Sequence, residues 1–117
     1  AALGDLAAGL MSDDDEICRQ LVDAGQASGE RLWRLPTWAE YDEKIKSEVA
    51  GVKNIGEPGV AGTITGAVFL RNFVGEKKWA HIDIAGVANI KKPKWGLGIG
   101  GTGFGVRLLL EYLQNSK

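Results

Sequence analysis

The most constraining feature of the sequence is a junction near its start, where LAAGLM (residues 6–11) runs into the polar cluster SDDDE and then into a helical pattern. The apolar run has the length of a buried strand, although length alone does not exclude helix. Ser12 is placed as an N-cap, with Asp15 three residues on in a capping-box-like arrangement. Asp13 to Glu16 put negative charge where the helix dipole favours it. Ile17, Cys18, Leu21 and Val22 then recur at helical spacing, which predicts an amphipathic helix over residues 13–28 ending near Gly29. A strand that feeds a helix directly points to α/β layers.

The rest of the chain extends that reading. Thr37-Trp-Ala-Glu40 repeats the capping-box pattern after Pro36 and opens a shorter helix to about Lys46. Residues 47–59, with three glycines and a proline, read as an ordered loop of a length that is frequently functional. Residues 60–74 are apolar nearly all round until Arg71, which predicts a buried helix, with Gly62 and Gly66 admitting a neighbouring backbone. WAHIDIAG (79–86) alternates, Ala80, Ile82 and Ile84 on one face and Trp79, His81 and Asp83 on the other, as a strand does. Residues 104–114 form a closing helix with Val106, Leu109, Leu110 and Leu113 on one face. Two short strands and about four helices imply an α/β architecture, but two strands make a poor sheet, so further strands are expected outside this sequence. The missing initiator Met points the same way, to the end of a longer protein or a processed product.

With 117 residues the chain has single-domain length and room for one core. Its acids and bases nearly balance, at a formal net charge of -1, so charge excludes little. Residues 1–16 carry five acids and no base, and residues 91–117 carry five bases against Glu111 alone. That asymmetry is too small for a nucleic-acid footprint, and no nucleic-acid partner is expected. Cys18 is the sole cysteine, which rules out a disulfide within the chain and favours a reducing, cytoplasmic setting. No apolar run approaches the roughly 20 residues of a membrane span, so no membrane association is expected.

Four constellations could carry chemistry. GLGIGGTGFG (96–105) can be read as G-x-G-x-x-G, but a dinucleotide site needs a strand before the glycines and an acidic residue about 20 positions after them. KKPKW precedes the glycines and the chain ends 16 residues after Gly101, so conformational freedom accounts for them better. His81 and Asp83 share a strand face, yet a catalytic zinc usually takes three protein ligands and there is no second histidine. Cys18 lies on the apolar face of its helix, which argues against a nucleophile paired with His81. Lys91, Lys92 and Lys94 fit a solvated loop as well as an anionic partner, and the four tryptophans fit core and subunit interface better than a base-stacking surface.

Taken in order, LMSDDDE (10–16), GERLWRLP (29–36), KNIG (53–56), AGTITGAVFL (61–70), WAHIDIAG (79–86) and TGFGVRLL (102–109) resemble the carboxyl-terminal part of the leucine (cytosol) aminopeptidase family. The resemblance covers essentially the whole chain, and its last two blocks are the most specific. It implies an incomplete piece of a three-layer α/β/α zinc-peptidase-like catalytic domain over residues 1–117. In that family two metal ions, commonly zinc or manganese, activate a bridging water that attacks the peptide bond after an amino-terminal residue. The N-T-D-A-E-G-R signature and the upstream lysines and aspartates that serve those ions do not occur in this sequence. The resemblance therefore implies no catalytic residue and no metal ligand in this chain, and an isolated piece without activity.

Substrate-pocket positions do carry over by resemblance. Ala85 and Ala88 match positions lining the pocket for the amino-terminal side chain, and Ile55 matches one lining the pocket for the following residue. A site just past a strand also agrees with the rule that α/β folds bind ligands outside the carboxyl ends of strands. The implied partners are peptide substrates and further copies of the chain, as a hexamer. A binding or oligomerisation module that keeps the fold without chemistry is the alternative.

Overall fold

The computed structural model describes residues 2–47, 51–52, 61–92 and 98–115. β1 (Ala8–Met11) is buried at all four positions, as a strand covered on both faces must be. α1 (Asp15–Ser28) follows it and returns the chain to β2 (Leu32–Arg34), which pairs parallel with β1 in the register Ala8↔Leu32 to Leu10↔Arg34. β5 (His81–Asp83) adds to the other edge of β1 in antiparallel sense, with Gly9↔Asp83, Leu10↔Ile82 and Met11↔His81 opposed. The sheet order is thus β2-β1-β5, a mixed sheet of three strands.

β2 is a strand that the sequence pattern does not announce. Only Leu32 of its three residues is buried, while Trp33 and Arg34 face solvent, so there is no alternation to detect. The expectation of two short strands is corrected further by two-residue ribbons. β3 (Lys46–Ser47) pairs with β4 (Gly51–Val52), and β6 (Asn89–Ile90) pairs with β7 (Gly100–Gly101), both antiparallel. The first ribbon occupies the start of the stretch expected as a loop. The four expected helices are present: α1, α2 (Ala39–Ile45), α3 (Gly62–Arg71) and α4 (Val106–Asn115).

Alternate residues of β1 feed different cores. Ala8 and Leu10 pack with Cys18 and Leu21 of α1, Leu32, Val87 and Leu108 of α4. Met11 packs instead with Ile45 of α2 and with Ile64, Ala67 and Val68 of α3. The period of two along a strand accounts for this division.

Local details differ from the sequence reading in instructive ways. Asp14, not Ser12, caps α1: its carboxylate accepts from the Ile17 amide at 2.9 Å. Ser12 is buried and serves the sheet, donating to the Trp79 carbonyl at 2.5 Å and accepting from the Asp14 amide at 3.1 Å. The box expected at Thr37 is also displaced, because the Thr37 hydroxyl donates to Asp13 at 2.7 Å and α2 starts at Ala39. Gly29 ends α1 in the left-handed region at φ 79°, as its position predicts.

Two amphipathic faces are also corrected. In α4 only Leu108 is buried, with Tyr112 half-buried one turn on, while Val106, Leu109, Leu110 and Leu113 are exposed. α4 packs on α1 through that narrower Leu108/Tyr112 stripe, so the expected apolar face points away from this chain's core. In α3 one side is buried, but Leu70 and the following Phe73 are exposed. Gly62 and Gly66 meet no close neighbour among the described residues. The intimate glycine contact is in α1, where a Cβ on Gly25 would stand 2.6 Å from the Glu30 carbonyl oxygen.

Candidate functional site

The turn at residues 84–88 is the centre of the candidate site, because two of the three expected pocket residues lie in it. β5 ends at Asp83, whose carboxylate accepts from the Ala85 amide at 2.9 Å, a side-chain turn typical of aspartate. The Ile84 carbonyl then accepts from the Val87 and Ala88 amides at 3.0 and 2.9 Å, winding the chain into one compact turn. The Val87 side chain is buried in the core that includes Leu10 and Leu108, which ties the turn to the sheet and to α4. Ala85 is exposed and Ala88 is half-buried. Ile55 lies outside the described residues, so the structure does not place it against this turn.

Ala85 and Gly86 line an open cleft of about 540 Å³ together with Asp5, Asn89, Lys91 and Lys92. Both lysines are exposed. Ala88 is not among the residues lining it. β5 runs antiparallel to β1 and β2, so its carboxyl end lies beside the amino end of β1. The rule that places ligands beyond the carboxyl ends of parallel strands does not extend to this turn.

The far side of the turn is held by the glycine-rich stretch. Thr102 donates its amide to the Ala88 carbonyl at 2.9 Å and its hydroxyl to the Val87 carbonyl at 2.7 Å, with Ala88 O at 3.2 Å. The same hydroxyl accepts from the Phe104 amide at 3.1 Å. Glu30 anchors the start of α4: it is 2% exposed, and its Oε1 accepts from the amides of Gly105 at 3.1 Å and Leu108 at 2.8 Å. A carboxylate on the orphan amides at a helix N-terminus is favoured by hydrogen bonding and by the helix dipole together. Arg107 stands 3.6 Å from the other carboxylate oxygen but is mostly exposed. Glu30, Thr102, Val87 and Phe104 also border a smaller cavity of about 180 Å³.

This arrangement decides how the glycines are used. Gly100 and Gly101 are paired in β7, while Gly103 and Gly105 take φ of 70° and 107°, values that side chains resist. In the reading Gly98, Gly100 and Gly103 the G-x-G-x-x-G spacing therefore spans a ribbon and a backbone turn rather than a phosphate cradle, and Gly96 of the other reading lies outside the described residues.

The other constellations resolve as structure. Burial pushes the Asp83 carboxyl up, but hydrogen bonds from Ala85 and Thr63 and the nearby His81 outweigh it and hold it below the ordinary aspartate value. Among the described residues no three His, Cys, Asp or Glu side chains gather as a metal site. Cys18 is buried in α1, and burial pushes its thiol up, away from the lowered value of an activated nucleophile. Trp33 and Trp38 are exposed rather than in the core, and Trp79 packs against the cluster around Met11. Lys94 and Trp95 lie outside the described residues.

Glu30 and Thr102 do not stand out in the sequence pattern. A glutamate directly after a helix-ending glycine reads as a solvated residue. A threonine two residues before Phe104 is a weak sign of a hydroxyl-capped turn, the one signal from which its role could be read.

Comparison with known proteins adds a family. Residues 1–110 match the cytosol aminopeptidase family, catalytic domain. A probable cytosol aminopeptidase of Chloroherpeton thalassium is 54% identical over 117 residues, covering 99% of this chain and 23% of the relative. Proteins of the same description from Chlorobaculum tepidum and Geobacter sulfurreducens are 55% and 53% identical, each covering 97% of this chain. The chain spans 22 to 23% of the length of these relatives.

Proposed function

Because the chain belongs to the cytosol aminopeptidase family, we propose that it is the carboxyl-terminal part of an enzyme that removes amino-terminal residues from peptides. The observation that carries this reading is the match of residues 1–110 to the family's catalytic domain, at about half identity to the relatives named above. In this reading the turn at residues 84–88 forms a wall of the pocket for the amino-terminal side chain, with Ala85 and Ala88 leaving room for a leucine-like group. Ile55 borders the pocket for the next residue. Two divalent ions, zinc or manganese, are held by residues of the longer protein outside this chain, as are the catalytic groups. The division of β1 between two cores supports placing the chain in a three-layer α/β/α domain. Assembly as a hexamer and a cytoplasmic setting complete the proposal. The description of the relatives as cytosol aminopeptidases agrees with the latter, and no helix among the described residues is long and apolar enough to cross a membrane.

The test is an assay of the full-length protein supplied with zinc or manganese. It should release the chromophore from a leucyl amide and leave the N-acetylated amide intact, because the free amine is part of what the site binds. No turnover with either ion, or equal cleavage of the blocked substrate, would refute the reading. The 117-residue chain alone should be inactive under the same conditions, and robust turnover by it would overturn the placement of the catalytic groups elsewhere.

A further inference from the structure

We infer that Thr102 is a positioning residue that fixes the shape of the pocket for the substrate's amino-terminal side chain. The inference rests on the reading of Ala85 and Ala88 as pocket walls. Their turn is closed internally by two amide bonds, from Val87 and Ala88 to the Ile84 carbonyl. Those bonds leave the carbonyls of Val87 and Ala88 directed out of the turn, and Thr102 satisfies both, one through its hydroxyl and one through its amide. The hydroxyl is used twice, because it also accepts from the Phe104 amide.

Thr102 is in turn held from two sides. Before it, Gly100 and Gly101 pair with Ile90 and Asn89, which continue directly from Ala88. After it, the Glu30 carboxylate grips the amides of Gly105 and Leu108. The buried Val87 side chain fixes the core side of the turn, and Thr102 fixes its carbonyls. Removing the hydroxyl frees the Val87 carbonyl and the Phe104 amide while leaving the Thr102 amide on Ala88. The turn then loses the bond that sets its tilt, and the methyl groups of Ala85 and Ala88 shift with it.

The experiment compares leucyl and alanyl amides with the full-length protein carrying Thr102→Val or Thr102→Ser. Valine matches the shape of threonine without its hydroxyl, whereas serine keeps the hydroxyl. The valine variant should lower the leucyl-to-alanyl ratio of kcat/KM about 3- to 10-fold, the range one net hydrogen bond allows, chiefly through KM for the leucyl substrate. Serine should restore the ratio to within about 2-fold of the wild type, a margin well under the effect of one hydrogen bond. A merely structural role would reduce the amount of active protein, scaling both substrates alike, so an unchanged ratio in the valine variant overturns the inference. If that variant does not fold, Thr102→Ala removes the same hydroxyl and carries the comparison. Failure of both to fold, with serine normal, would assign the hydroxyl to folding and also overturn it. Absence of aminopeptidase turnover in the wild type would refute the pocket reading itself, whereas normal turnover with an unchanged ratio refutes only the role of Thr102.

Discussion

Replacing Glu30 tests how the start of α4 is secured. Its carboxylate is buried, and one oxygen, Oε1, accepts from both Gly105 and Leu108. Hydrogen bonds to a charged group contribute about 1.5–3 kcal/mol each, but these two share an oxygen and one helical turn, so their loss is less than additive. Glu30→Ala leaves two amides without their acceptor and is expected to cost about 3 kcal/mol. Glu30→Gln is a sharper probe, because its amide oxygen can occupy the Oε1 position and keep both bonds. It loses only the favourable charge at the helix N-terminus, about 0.3–1 kcal/mol and up to about 2 in a buried setting. The Arg107 pair adds little to either value, because Arg107 is 70% exposed and 3.6 Å away. Urea denaturation followed by circular dichroism should therefore rank wild type above glutamine and glutamine well above alanine, at similar m values. Equal losses for glutamine and alanine would show that charge, not the shared acceptor, holds the helix. Losses under about 0.5 kcal/mol for both would refute the anchoring role altogether.

Asp83 has a folded pKa below its ordinary value, so it contributes stability that is present above the unfolded value of about 3.9 and lost as pH falls through the lower folded value. Asp83→Asn should flatten the acid limb of a stability–pH profile, and an unchanged limb would contradict that assignment. Cys18 has the opposite sign: its raised thiol pKa makes its stabilising contribution complete below the unfolded value of about 8.5 and lost above it. A thiol-reactive disulfide reagent should consequently label Cys18 slowly in the native protein and fast in urea, and fast native labelling would show that the helix face is open. Gly25→Ala should lower stability by about 1–3 kcal/mol despite the better helix propensity of alanine, because its methyl would meet the Glu30 carbonyl oxygen at 2.6 Å. A gain in melting temperature would mean that the chain after α1 yields easily.

The elements that could be read from the sequence are those with enough residues to show a period. β1, α1, β5 and the body of α3 announce themselves through LAAGLM, the Ile17/Cys18/Leu21 spacing, HID and the run after Gly62. β2 has one buried residue in three, and the ribbons have two residues per strand, so no period exists to read. Periodicity reveals that α4 is amphipathic, but not which neighbour its apolar face meets. That is why Leu108, off the Val106/Leu109/Leu110/Leu113 stripe, proves to be the buried residue. The same limit applies at the candidate site. The alternation over residues 79–86 reads IAG as strand, but β5 closes at Asp83 and IAG belongs to the turn, while the Glu30 bonds join residues 75 and 78 positions apart and leave no trace in spacing. Ser12 and Asp14 illustrate a smaller ambiguity, since both can cap a helix and only the demand of the Trp79 carbonyl decides between them.

If the turn at residues 84–88 shapes the pocket for the amino-terminal side chain, filling that pocket changes substrate selectivity. In the full-length protein Ala88→Trp should reduce kcat/KM for a leucyl amide at least about 10-fold while an alanyl amide loses much less, since pocket fit is worth about 1–3 kcal/mol between side chains of different size. Equal effects on the two substrates, or none on either, would contradict the account.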